Sequence, residues 1–183
     1  SAALHALILR YTPVTGFDVA GIPGNVFRLD PLALFFLCMI QLAAIPTAIY
    51  SYSYFRDAAR EGKRVRNITV IFGTLLISTQ LLVIADHAIL FLVFWEIMSV
   101  AAYFGIVFEH GKREVRTGGM YYFAISHFVV FLLYAFFFLM HAHSRSWMMS
   151  DCALTADAGA AFFAMYALAL VAFGMKAGFM PLD

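Results

Sequence analysis

Five apolar runs dominate this sequence, at about 29–50, 68–85, 88–108, 119–140 and 160–181. Each is long enough to cross roughly 30 Å of hydrocarbon as a helix rising about 1.5 Å per residue. Backbone groups in lipid must be satisfied within the chain, which leaves helices or closed barrels. Barrel strands alternate apolar and polar residues over about ten positions, and these runs do not alternate. The expected fold is therefore all-α, a polytopic transmembrane helix bundle of about five spans. Composition agrees: 63% of the 183 residues are apolar and 13% are charged, and mean hydropathy is +0.86. Soluble domains carry about 25% charged residues. These figures exclude a soluble enzyme domain, a disordered tail and a nucleic-acid binder. The lipid bilayer is the first partner.

The loops carry an orientation signal. Arg56, Arg60, Lys63, Arg64 and Arg66 separate the first two runs, and Lys112, Arg113 and Arg116 separate the third and fourth. The opposite side holds only Arg10, Arg28 and Arg145. The positive-inside rule places the basic loops in the cytoplasm. The N-terminus then lies outside and the C-terminus inside. Two regions follow: an extracytoplasmic segment over 1–28 and the helical bundle over 29–183. The short Ala2 to Leu9 stretch is either interfacial or the last turns of a preceding span.

Several signals are local. Asp30 before Pro31 reads as a helix cap followed by the first helical residue. Pro46 should kink the first span. Asp86 reads as a cap for the third helix. Gln80, with Ser78 and Thr79, suits hydrogen bonding between helices. Tyr121 and Tyr122, with Tyr50, Tyr52 and Tyr54, read as interface anchors. His141 and His143 fall in a loop, without a neighbouring acid to complete a metal site. His87 and His110 stand at span ends. Cys38 lies in an apolar run and Cys152 in a loop, so no disulfide is expected. No metal site, phosphate loop or cofactor ligand set is present, and no cofactor is expected.

Three ionisable residues lie where lipid makes charge expensive. Glu96 sits in the third run, with Ser99 and Tyr103 on its helical face. That face should meet protein and carry a proton. The competing reading is a neutral, hydrogen-bonded structural glutamate. Lys176 is the only lysine or arginine inside any run. Gly178 and Pro181 follow it, so the last span should break near Lys176, a device common at ion sites. The competing reading is a lysine reaching the cytoplasmic interface. His127 lies mid-run in the fourth span, where it suits either a proton relay or a packed structural role.

The residues from Ala85-Asp86-His87 through Phe94-Trp95-Glu96 resemble the glutamate-bearing segment of antiporter-like membrane subunits. Phe173-Gly174-Met175-Lys176-Ala177-Gly178-Phe179-Met180-Pro181-Leu182 resembles their lysine-bearing broken helix, and Arg28-Leu29-Asp30-Pro31-Leu32 the start of an earlier span. Such subunits occur in complex I, multisubunit cation/proton antiporters and energy-converting hydrogenases. Phe108-Glu109-His110 and Ser126-His127 look most like the large membrane subunit of hydrogenase-4 and formate hydrogenlyase. The resemblance implies a proton channel in which Glu96 sits near Lys176 and tunes it. It also implies other membrane subunits as partners and a bacterial or archaeal plasma membrane. The chain would be a non-redox subunit of a membrane oxidoreductase complex. A multisubunit cation/proton antiporter subunit, a stand-alone cation transporter and a non-conducting assembly fragment are the alternatives. The family motif continues with histidine after Pro-Leu, whereas Asp183 stands here. The family's second half-channel is not in the sequence, which suggests a front fragment or one piece of a split subunit.

Overall fold

A computed structural model describes residues 15–18, 25–60, 65–109, 111–152 and 159–178. Ala2 to Leu9, His110, Pro181 and Asp183 lie outside the described residues. Two short strands, β1 (Thr15–Asp18) and β2 (Asn25–Leu29), form an antiparallel hairpin. Five helices follow: α1 (Pro31–Arg60), α2 (Val65–Ile84), α3 (Ala88–Ile106), α4 (Arg113–Ser144) and α5 (Ala160–Lys176). Four of them are long and apolar enough to cross a membrane, and α5 is shorter. The all-α bundle expected from the sequence is therefore present. The hairpin was not foreseen, since β1 and β2 lack the length and alternation that mark a strand.

Helix boundaries exceed the apolar runs where polar residues continue the helix. α1 runs on through Arg56 and Arg60, and α4 covers 32 residues. His141 and His143 consequently sit in the last turn of α4 rather than in a loop. Asp30 caps α1 as expected: its Oδ1 accepts the Ala33 amide at 2.7 Å. α1 continues past Pro46, although proline cannot donate to the Leu42 carbonyl one turn back.

The helices stack in sequence, α1 on α2, α2 on α3, α3 on α4 and α4 on α5. The deepest core joins the last three, with Leu92 and Trp95 of α3, Leu133 and Phe137 of α4, and Met165 and Ala172 of α5. Phe91 and Trp95 meet the Phe173 ring edge-on, which ties α3 to α5. Between α1 and α2, Gln41 Nε2 donates to Gln80 Oε1 at 3.2 Å. Ser78 and Thr79 instead bond to carbonyls of their own helix.

One end of the bundle is clasped by backbone hydrogen bonds. The Asp86 amide donates to the Val26 carbonyl at 2.9 Å, and the Met149 amide donates to the Asp86 carbonyl at 2.7 Å. The Ala88 amide donates to the Trp147 carbonyl at 2.9 Å. Asp86 does not cap α3, whose N-cap is His87. Its Oδ1 accepts the Ser150 amide at 2.9 Å instead. The tight α2–α3 turn aims the carboxylate at the segment after α4, where an unpaired backbone amide needs an acceptor.

Candidate functional site

The α3 helix presents two adjacent faces to its neighbours. Trp95 and Ser99 lie four residues apart and so share one face, which turns towards α5. Glu96 and Tyr103, seven apart, turn towards α4. Lys176, the last residue of α5, brings its Nζ to both α3 and α4. It donates to Ser99 Oγ at 3.0 Å and to Tyr122 Oη at 3.1 Å. The ammonium also stands 5.5 Å from the centre of the Trp95 ring and 5.1 Å from that of Tyr122. Both lie within the roughly 6 Å at which aromatic faces attract a cation. Hydrogen bonds to a charged group are worth about 1.5–3 kcal/mol each. These contacts offset part of the cost of holding the charge away from water.

Glu96 faces a different partner. Its Oε2 lies 3.8 Å from His127 Nε2. That is longer than a hydrogen bond and within ion-pair reach when the imidazole is protonated. His127 Nδ1 lies 3.0 Å from the Phe123 carbonyl. An Nδ1–H donating there leaves Nε2 as the atom that gains or loses a proton on the Glu96 side. The side chains of Glu96 and His127 are 29% and 37% exposed, so both are half-buried. The Phe123 ring lies tilted against that of His127 at 4.0 Å and meets Tyr103 at 5.1 Å.

All three ionisable residues read from the sequence thus line the α3–α4–α5 interface. Glu96 and His127 are brought together. Lys176 is brought to hydroxyls, and among the described residues it makes no ion pair with Glu96. Beside Lys176 lies a cavity of about 200 Å³, lined by Tyr122, Ser126, Val129, Met175, Lys176 and others. The helix ends there: Lys176 is its last residue, and Gly178 takes φ +80°. That left-handed conformation suits glycine because a Cβ would clash with the backbone.

Three comparisons bear on this arrangement. The chain is 30% identical to hydrogenase-4 component B of Escherichia coli K12 over 182 residues, covering 98% of this chain and 26% of that protein. It is 28% identical over 160 residues to an uncharacterized protein of Mycobacterium tuberculosis, covering 87% of this chain and 24% of that protein. It is 30% identical over 115 residues to the putative antiporter subunit mnhA2 of Staphylococcus saprophyticus, covering 63% of this chain and 14% of that protein. No protein-family profile matches the chain. The chain belongs to the antiporter-like membrane subunit family. It spans about a quarter of the Escherichia coli relative's length.

As a multi-pass antiporter-like subunit, the chain holds polar groups that sequence reasoning assigned elsewhere. Tyr122 reads as an interface anchor, beside the exposed Tyr121, yet its hydroxyl reaches Lys176. Trp95 reads as one more apolar residue, yet it lies over the ammonium. Helical spacing alone could have flagged Trp95 and Ser99 as one face. The identity of the cation they meet required the path of α5.

Proposed function

We propose that this chain is the proton-translocating part of a membrane subunit in a redox-driven complex. An energy-converting hydrogenase or an NADH–quinone oxidoreductase is the type of complex meant. Glu96 and Lys176 are its ionisable pair, and His127 relays protons to Glu96. One observation supports this reading: the Lys176 ammonium of α5 reaches Ser99 of α3, three residues on from Glu96, whose carboxylate lies 3.8 Å from His127 of α4. Ionisable groups among apolar membrane helices are costly and mark ion pathways. The similarity to hydrogenase-4 component B supports the redox-driven assignment.

The pair works through its spacing. An ammonium beside a carboxylate is favoured in its charged form, and the two titrate as a coupled unit. When Lys176 leaves the carboxylate, that support is withdrawn and its proton is freed. Electrostatic or conformational change in a neighbouring membrane subunit supplies the drive. The basic loops lie in the cytoplasm and the β1–β2 hairpin outside, in a bacterial or archaeal plasma membrane.

The test is Glu96→Gln in the full-length protein within its assembled complex. Proton pumping is expected to be lost while the complex still forms. Intact pumping by that variant would sink the reading. A second reading, a subunit of a cation/proton antiporter, is favoured by the similarity to the staphylococcal antiporter subunit. It predicts transport that depends on a sodium gradient and persists without a redox donor.

A further inference from the structure

We propose that Ser99 and Tyr122 form a hydroxyl dock, a second seat for the Lys176 side chain that alternates with Glu96. This inference rests on the reading of Lys176 as the proton carrier. Three observations support it. Nζ is seated between Ser99 Oγ and Tyr122 Oη at 3.0 and 3.1 Å. Ser99 is 2% exposed, so its hydroxyl is shielded from bulk solvent. Glu96, three residues earlier on α3, lies 3.8 Å from His127 instead.

The geometry makes the two seats neighbours. Positions three apart on a helix have Cβ atoms about 5–6 Å apart. The flexible four-carbon stem of a lysine can cover that distance by rotation alone. Lys176 is the last residue of α5, and Gly178, two residues on, takes φ +80°.

The chemistry of the seats differs. An ionised Glu96 only accepts hydrogen bonds and offers negative charge, so it suits the ammonium and not the neutral amine. A hydroxyl both donates and accepts. Ser99 and Tyr122 can accept from the ammonium, and either can turn its O–H towards the lone pair of the neutral amine. The dock therefore keeps its hydrogen bonds through a change of protonation state. The cavity of about 200 Å³ at this seat is roomy enough for water, with Tyr122, Ser126 and Lys176 as polar partners. Proton release there breaks one N–H bond of the ammonium and forms one O–H bond on a cavity water. The electron pair stays on Nζ, and a dock hydroxyl donates to it. With Lys176 in the dock, Glu96 is left to exchange its proton with His127. Ser99 and Tyr122 are positioning residues in this scheme, since they act through Lys176.

The experiment uses the full-length protein in its native membrane complex. Ser99→Ala and Tyr122→Phe each remove one hydroxyl and little volume, and Ser99→Thr restores the first. Proton translocation is read alongside infrared spectra, in which the Glu96 carboxylate band is assigned by its loss in Glu96→Gln. Each hydroxyl deletion is expected to slow translocation roughly tenfold, the scale of one hydrogen bond to a charge. Each should also shift the Glu96 band as Lys176 moves to the carboxylate, and Ser99→Thr should reverse both effects. Unchanged rate and band, in a complex that Lys176→Ala inactivates, would overturn the dock and leave the proposed function standing. Slower transport with an unmoved band would also overturn it. Full transport in Lys176→Ala would overturn both readings. If one hydroxyl variant fails to assemble, the other decides. If both fail, the hydroxyls are structural and the dock is rejected.

Discussion

Asp86 holds three strands of chain together from one turn. Its amide meets β2, and its carbonyl and carboxylate meet the segment after α4. Asp86→Ala leaves the Ser150 amide without its acceptor, at a cost of about 1–3 kcal/mol. Asp86→Asn keeps an acceptor oxygen and should cost less. Melting temperatures of the detergent-solubilised variants check that order. Its neighbour His87 adds a dependence on pH. Burial pushes the His87 imidazole below its ordinary 6.5, and the Asp86 carboxylate opposes that shift more weakly. The unfolded chain therefore binds the proton more readily than the folded one. Stability present above pH 6.5 is lost as the pH falls from there through the lowered folded value. The amides of Ala88 and Met149, which knit this turn to its neighbours, should lose protection against hydrogen exchange over that fall. His87→Gln should flatten the response.

Helix lengths are unequal, and the inequality shapes the site. α3 has 19 residues and α4 has 32, so at about 1.5 Å per residue they run roughly 28 and 48 Å. Only the first matches the roughly 30 Å of hydrocarbon. The excess of α4 carries Arg113 and Arg116 at one end and His141 and His143 at the other. α4 can lie close to the end of α3 because of Gly119. A Cβ there would collide with Val107, and Tyr103 is the next neighbour. This close approach sets the height at which Phe123 and His127 meet Tyr103 and Glu96. Gly119→Ala should lower stability by about 1–3 kcal/mol through overpacking, less up to about 1 kcal/mol gained in helix propensity. Val107→Ala in the same chain should recover most of the loss. A double-mutant cycle on thermal stability measures that coupling.

Across the whole molecule, the two ends of the bundle differ. The α2–α3 turn, β2 and the 145–152 segment are bonded into one clasp. The other end carries the basic residues that flank the α1–α2 and α3–α4 connections. The proposed orientation has the basic end in the cytoplasm. In a background of Cys38→Ser and Cys152→Ser, Ser150→Cys should react with an impermeant thiol reagent in intact cells. Gly111→Cys should react only after permeabilisation. The reverse pattern would overturn the orientation.

The five helices could be read from the runs of apolar residues, because lipid enforces satisfied backbones over a known thickness, although only four of them are long enough to span. The same cost of charge in lipid singled out Glu96, Lys176 and His127 one at a time. Their partners could not be read in this way. Ser99 is ordinary within its own helix, and Tyr122 looks like the anchor that Tyr121 resembles beside it. The pairing of Lys176 with hydroxyls, and of Glu96 with His127, depends on how α5 crosses α3 and on the height of α4 set at Gly119. Asp86 exchanged an expected cap for a distant amide for the same reason. Periodicity specifies which face of a helix a side chain occupies, whereas contacts between faces arise only when separate helices pack.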